Sequence, residues 1–133
     1  MARVLVVDDN LATRELLACA VRETGGEPVT APDGSVALKE LCRATAEGRP
    51  FQVMLLDISM PIVDGWQVLA AIRANPLWQD LQVIVITGRV YEADDIALLS
   101  TYDALYVRKG GECMSFLLSA LDRLSHQSKV LAP

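Results

Sequence analysis

The residues best suited to chemistry are carboxylates that directly follow short apolar runs. Asp8 and Asp9 follow Val4 to Val7, and Asp57 follows Val53 to Leu56. An ionised carboxylate in such a place needs a compensating partner, because its burial is costly. Three carboxylates brought together would repel one another and would therefore need a cation. All-oxygen ligands without His or Cys suit a hard divalent ion, of which Mg²⁺ is the expected one.

Two further polar residues follow apolar runs. Thr87 comes directly after Val83 to Ile86, and Lys109 comes soon after the weaker run Ala104 to Val107. A lysine can pair with an anion, and a threonine hydroxyl can donate one hydrogen bond to it. A nucleophilic carboxylate beside Mg²⁺, with Lys and Thr facing it, suits phosphoryl transfer. We therefore predict that Asp57 becomes phosphorylated.

The elements that must position these residues alternate along the chain between apolar runs and segments of helical spacing, as in an α/β fold. Strands are predicted at five runs, the second of which is short and typical of a sheet edge: Val4 to Val7, Pro28 to Ala31, Val53 to Leu56, Val83 to Ile86 and Ala104 to Val107. The alternation predicts a doubly wound, five-stranded parallel sheet flanked by five helices. Ligands of such sheets bind at the carboxyl ends of the strands, where all the candidate residues lie.

The predicted helices have recognisable ends. The first begins at a cap on Asn10 or Thr13 and stops at Gly25-Gly26. Leu16, Ala20 and Val21 are predicted on its buried face. The other helices are predicted over four segments: Ser35 to Ala46, Gly65 to the residue before Pro76, Glu92 to Thr101 and Glu112 to Ser125.

Composition bounds the class of protein. A length of 133 residues suits one domain, and 52% hydrophobic residues suit a sheet covered on both faces. The net charge of -5 argues against nucleic acid and against an anionic membrane surface. There is no apolar run long enough to span a membrane and no signal-peptide cleavage site, so a cytoplasmic location is expected.

The cysteines are predicted to be reduced residues on helix faces: Cys19, Cys42 and Cys113. The single histidine, His126, is predicted to be an ordinary solvated residue.

Four segments carry a resemblance to a known family. VLVVDDN, LLDISMPIVDG, VIVITG and LYVRKGG resemble, in order and spacing, the receiver domain of bacterial two-component response regulators. The resemblance covers nearly the whole chain, and the segment with Asp, Met-Pro and Asp-Gly is the most specific part. It implies a flavodoxin-like, receiver-type fold over residues 1–125, followed by a tail or the start of a linker over 126–133.

The resemblance also implies a role for each candidate residue. Asp57 resembles the phosphoacceptor, and Asp8 and Asp9 resemble the acidic pair that binds Mg²⁺. The backbone carbonyl of Ser59 would be a further metal ligand. Thr87 resembles the hydroxyl residue that follows the phosphate, and Lys109 resembles the lysine that pairs with the phosphate. Tyr106 resembles the aromatic residue that acts as the switch.

The function implied is a phosphorylation-dependent signalling switch that is not an enzyme beyond its own phosphorylation and dephosphorylation. Its expected partners are a sensor histidine kinase or histidine phosphotransfer protein and, downstream, another protein or an output domain absent from this chain. The resemblance also allows a phosphorylation-dependent dimer. Direct contact with nucleic acid or membrane is not expected.

The sequence departs from the family pattern after the lysine, and alternatives remain. Lys109 is followed by Gly110-Gly111 where family members usually have a Pro, commonly in a cis peptide, so we predict a trans and more flexible loop.

One alternative function is a Mg²⁺-dependent phosphatase with an aspartate nucleophile, although Ser59 stands where such enzymes keep a second Asp. Another is a receiver-like scaffold that is never phosphorylated. Dinucleotide binding is rejected because no glycine-rich turn follows the first strand.

Overall fold

The computed structural model describes residues 2–57, 65–87 and 93–108, together with 115, 117–119 and 121–123. Five strands are present: β1 (Arg3–Val7), β2 (Glu27–Ala31), β3 (Val53–Leu56), β4 (Gln82–Thr87) and β5 (Ala104–Arg108). The helices are α1 (Leu11–Glu23), α2 (Gly34–Ala46), α3 (Gly65–Ala74), α4 (Ala93–Thr101) and a short 3₁₀ helix at Pro76–Trp78. Residues 115, 117–119 and 121–123 are also helical and fall within the segment predicted for a fifth helix. The predicted fold class is confirmed.

The five strands form one parallel sheet in the order β2-β1-β3-β4-β5. The strand β2 lies at an edge, as its short, Pro-containing sequence predicts. After β2 the chain crosses to the other side of β1, so the direction of winding reverses between β1 and β3. In a doubly wound sheet this reversal opens a crevice at the carboxyl ends of the two strands. Asp8 and Asp57 are the residues that directly follow β1 and β3.

The core lies on both faces of the sheet, because successive residues of each central strand point to opposite sides. One cluster combines Leu5, Met54 and Leu56 with buried residues of α2, α3 and α4. The other combines Val6 and Leu55 with α1 and with the helical residues Leu117 and Leu121. Burial of both faces explains why these strands read as continuous apolar runs.

Helix α1 begins at Asn10, whose side-chain oxygen accepts a hydrogen bond from the Thr13 backbone N–H at 2.9 Å. The prediction left Asn10 and Thr13 open as the cap, and the structure selects Asn10. The predicted buried face was wrong at Leu16, which is 58% exposed, whereas Leu17 is 4% exposed and packs in the core. The two adjacent leucines fit helical spacing almost equally well, so sequence alone gives no reason to prefer Leu17.

Arg73, near the end of α3, connects several segments through its guanidinium group. Its Nε donates to the carbonyl oxygen of Tyr102 at 2.7 Å, and its Nη2 donates to that of Leu81 at 2.9 Å. Three longer hydrogen bonds go to the carbonyl oxygens of Trp78, Gln79 and Asp103. Leu81 directly precedes β4, and Asp103 directly precedes β5. Arg73 therefore fixes the amino-terminal ends of two neighbouring strands to α3.

Among the described residues, none of the helices combines the length and the hydropathy that crossing a membrane requires.

Candidate functional site

Asp8, Asp9 and Asp57 lie together at the carboxyl edge of the sheet. One carboxylate oxygen from each lies within 4.8 Å of the others. The grouping follows from strand register, because Val7 pairs with Leu56 and the Asp57 backbone N–H donates to the Val7 carbonyl at 3.0 Å. Asp8 is 1% exposed and Asp57 is 7% exposed, whereas Asp9 faces solvent. The site thus has two buried carboxylates and one at its mouth.

The turn between β1 and α1 holds Asp8 in place through both its main chain and its side chain. The backbone N–H of Asp8 donates to the Ala31 carbonyl at 3.2 Å. The backbone N–H of Asn10 donates to Asp8 Oδ1 at 2.9 Å, and Asn10 then caps α1. The site therefore lies at the N-terminal end of α1, where the helix dipole favours negative charge.

Thr87 is the last residue of β4 and is fully buried. Leu56 pairs with Val85, so β4 extends two residues beyond that pair and brings Thr87 to the edge that carries Asp57. Tyr106 pairs with Val85 from the other side, is partly buried, and packs against the core cluster formed with α2, α3 and α4. Thr87 thus lies at the carboxyl end of β4, and Tyr106 lies in the middle of the neighbouring strand, level with Val85.

Several predicted residues lie outside the described part of the chain. These are Ser59, Lys109 and Gly110, together with the tail at 126–133. The described residue that pairs with Thr87 across β4 and β5 is Arg108, which directly precedes Lys109. Of the predicted site residues, the structure therefore places Asp8, Asp9, Asp57, Thr87 and Tyr106.

The three grouped carboxylates fit a hard divalent cation. They offer only oxygen ligands, and their oxygens lie within 4.8 Å of one another, a grouping that could hold one metal ion. Strand register and the β1–α1 turn position Asp8 and Asp57. The chemistry of this donor set therefore agrees with the Mg²⁺ expected from the sequence.

Sequence reasoning missed one residue next to this site, Arg14. Its Nη1 donates to the carbonyl oxygen of Asp8 at 3.0 Å, and its side chain is partly buried. Its own backbone N–H donates to the Asn10 carbonyl at 2.9 Å, which forms the first turn of α1. The available signal was position, because a residue four places after the helix cap lies over the cap itself.

Comparisons with curated proteins show relatives that are longer than this chain. The transcriptional regulatory protein PrrA of Mycobacterium tuberculosis is 40% identical over 95 residues, which covers 71% of this chain and 38% of PrrA. The transcriptional regulatory protein AruR of Pseudomonas aeruginosa is 36% identical over 107 residues, which covers 80% of this chain and 43% of AruR. The chain thus spans about two fifths of the length of these relatives.

Solved structures agree over almost the full chain. Chemotaxis protein CheY4 of Vibrio cholerae superposes with a TM-score of 0.77 at 26% identity, covering 93% of this chain and 98% of CheY4. A phosphorylated cyanobacterial phytochrome response regulator, RcpA, gives a TM-score of 0.77 at 26% identity and covers 99% of this chain and 96% of RcpA.

The family comparison covers the site described above as well as most of the fold. The sequence profile of the response regulator receiver domain matches residues 4–112, a range that includes every strand except the first residue of β1, and the three grouped carboxylates. The chain therefore belongs to the response regulator receiver domain family, the signalling domains of two-component systems.

Proposed function

We propose that the chain is a phosphorylation-dependent switch in which Asp57 accepts a phosphoryl group. The single observation that carries the proposal is the grouping of Asp8, Asp9 and Asp57 at the point where the strand order reverses, in a chain of the receiver family. The likeness to RcpA, whose structure is that of a phosphorylated response regulator, supports the same chemistry. The switch would occupy residues 1–125, with 126–133 as a tail or the start of a linker.

The donor in this proposal is a phosphohistidine on a sensor kinase or phosphotransfer protein. A carboxylate oxygen of Asp57 attacks phosphorus and forms a P–O bond. The P–N bond breaks, and its electron pair returns to the imidazole nitrogen of the donor. Asp8, Asp9 and Asp57 would hold Mg²⁺ together with the backbone carbonyl of Ser59. The ion would supply positive charge that offsets the charge on the transferred group.

The new phosphoryl oxygens would then be bound by Thr87 and Lys109. Thr87 is buried at the end of β4, at the sheet edge that carries Asp57, and a displacement of its hydroxyl toward the site would let it donate to a phosphoryl oxygen. Tyr106 lies on the adjacent strand and is partly buried, which leaves it able to rotate inward as Thr87 moves. A small change at Asp57 would thereby bias the position of an aromatic side chain on β5.

The signal would leave through the surface formed by α4 and β5. Three large hydrophobic side chains are exposed on these two elements: Ile96, Leu98 and Leu105. They adjoin the strand that carries Tyr106, so rotation of that ring would alter their surroundings. A downstream protein, an output domain or a second phosphorylated copy of the chain would bind there. The longer relatives are transcriptional regulators, which agrees with an output domain as one of these partners.

Intact-mass spectrometry tests the proposal. After incubation with Mg²⁺ and a small phosphodonor such as acetyl phosphate, the protein is expected to gain the mass of one phosphoryl group. The gain should be absent when EDTA replaces Mg²⁺. A protein that gains no mass over a full range of donor concentrations, while retaining its fold by circular dichroism, would count against phosphorylation and for the scaffold alternative.

The phosphatase alternative predicts a different outcome in the same mixture. An aspartate-nucleophile phosphatase would turn over many equivalents of p-nitrophenyl phosphate, because it activates water to release the enzyme-bound phosphoryl group. The switch is expected to release no more than a slow, roughly stoichiometric amount. Repeated turnover that depends on Asp57 would favour the enzyme.

Mg²⁺ is expected to raise the melting temperature, because an ion that binds only the folded chain stabilises it by mass action. At ten times the Kd the gain is about 1.4 kcal/mol, equivalent to about 5 °C for a domain of this size. Thermal melts with and without MgCl₂ at constant ionic strength would measure it. The matched control is Asp8→Asn, which removes one ligand and should abolish most of the shift. An equal shift in wild type and Asp8→Asn would place the ion elsewhere.

A further inference from the structure

Arg14 brings a positive charge to the acidic site, where its guanidinium hydrogen-bonds to a main-chain carbonyl. The guanidinium donates to the main-chain carbonyl of Asp8 at 3.0 Å, and the side chain is partly buried. The carbonyl and carboxylate oxygens of one aspartate lie within about 5 Å of each other. The guanidinium therefore lies roughly 8 Å or less from the carboxylate of Asp8.

This separation is short enough for the charge to matter. The Debye length at physiological ionic strength is about 8 Å, and screening is weaker where the groups are partly or fully buried. Asp8 and Asp57 are both buried, and the three carboxylates lie within 4.8 Å of one another. Arg14 thus sits inside the range over which a cation lowers the mutual repulsion of these groups.

We propose that Arg14 is a positioning residue that also acts as an internal counter-charge for the metal site. It holds the main chain of Asp8 in place and offsets part of the carboxylate repulsion while no metal is bound. For the same reason it repels a bound divalent cation, and so it weakens the affinity for Mg²⁺. The inference rests on the metal site in the proposed function. It makes Arg14 a residue that sets the affinity of that site for Mg²⁺.

The two parts of this role predict effects of opposite sign when the charge is removed. In Arg14→Met the metal-free protein loses a counter-charge and should melt at a lower temperature. The same variant should bind Mg²⁺ roughly threefold to tenfold more tightly, because the bound ion no longer faces a nearby cation. A purely structural contact would instead lower the melting temperature equally with and without the metal. It would leave the Kd for Mg²⁺ unchanged.

The experiment uses the full chain, thermal melts in EDTA and in saturating MgCl₂, and calorimetric titration with MgCl₂. Arg14→Gln is a second uncharged variant that keeps a hydrogen-bond donor, in case Arg14→Met does not fold. Arg14→Lys keeps the charge, and its Kd is expected within about twofold of the wild-type value. The matched control is Arg22→Met, which removes an exposed arginine from the other end of the same helix. It should leave the Kd for Mg²⁺ unchanged.

The outcomes separate the inference from the proposed function. Tighter Mg²⁺ binding by the uncharged variants, with a lower melting temperature in EDTA, supports the role of Arg14. If wild type binds Mg²⁺ and is stabilised by it, but Arg14→Met and Arg14→Gln bind Mg²⁺ with an unchanged or higher Kd, the role of Arg14 alone is overturned. Failure of the wild-type chain to bind Mg²⁺ overturns the metal site and this inference with it.

Discussion

Asp57→Asn is expected to abolish phosphoryl uptake completely while leaving the fold intact. The amide has nearly the same shape as the carboxylate, but it lacks the anionic oxygen that attacks phosphorus. Because Asp57 is buried beside two other carboxylates, removal of its charge also relieves repulsion. We therefore expect the variant to be at least as stable as wild type in the absence of Mg²⁺. Intact mass after incubation with Mg²⁺ and acetyl phosphate would measure the loss.

The control for this variant is Asp80→Asn. Asp80 is an exposed carboxylate in the turn before β4, away from the acidic group. Its substitution makes the same chemical change and is expected to leave the mass gain unaffected. If Asp57→Asn still gained a phosphoryl group, the acceptor would be another residue and the assignment of Asp57 would fail. Peptide mapping of the modified protein would then identify that residue.

Arg73→Met is expected to cost about 3 kcal/mol of stability, because it removes a charged donor shared by five carbonyl oxygens. A single hydrogen bond to a charged group contributes about 1.5–3 kcal/mol. The five contributions do not add in full, since carbonyls near the surface can be rehydrated once the guanidinium is gone. Urea unfolding followed by circular dichroism would report the change as a lower transition midpoint.

Arg43→Met provides the comparison for Arg73. Arg43 is an exposed residue of α2 whose ion pairs with Glu40 and Glu47 are both 3.7 Å long. Surface pairs of this kind contribute little, so this change is expected to alter stability by about 0.5 kcal/mol or less. Equal effects of the two substitutions would mean that the Arg73 hydrogen bonds contribute no more than a surface charge does.

The strands were the part of the fold that the sequence predicted best. The prediction for β3, Val53 to Leu56, matches the structure, and β1 and β4 differ from it only at their ends. These segments are buried on both faces, so their apolar runs are uninterrupted and hard to mistake. The buried faces of the helices were harder to predict than the strands. Leu16 and Leu17 both fit the spacing, and only the packing of α1 against the sheet selects Leu17.

The acidic group was predictable because each member directly follows an apolar run, and parallel strands bring such positions to one edge. The arginines were not predictable in the same way. Arg14 and Arg73 both donate to main-chain carbonyls, which every residue type provides. No partner residue therefore marks them in the sequence. Their roles depend on where the backbone passes, which is settled only by the folded chain.

The position of the Arg73 hydrogen bonds has a mechanical consequence. They fasten the chain at Leu81 and at Tyr102–Asp103, just before β4 and β5 begin. Thr87 is the last residue of β4, and Tyr106 lies in the middle of β5. In the proposed switch, a displacement of Thr87 would therefore move the carboxyl end of β4, while the amino-terminal ends of β4 and β5 stayed attached to α3.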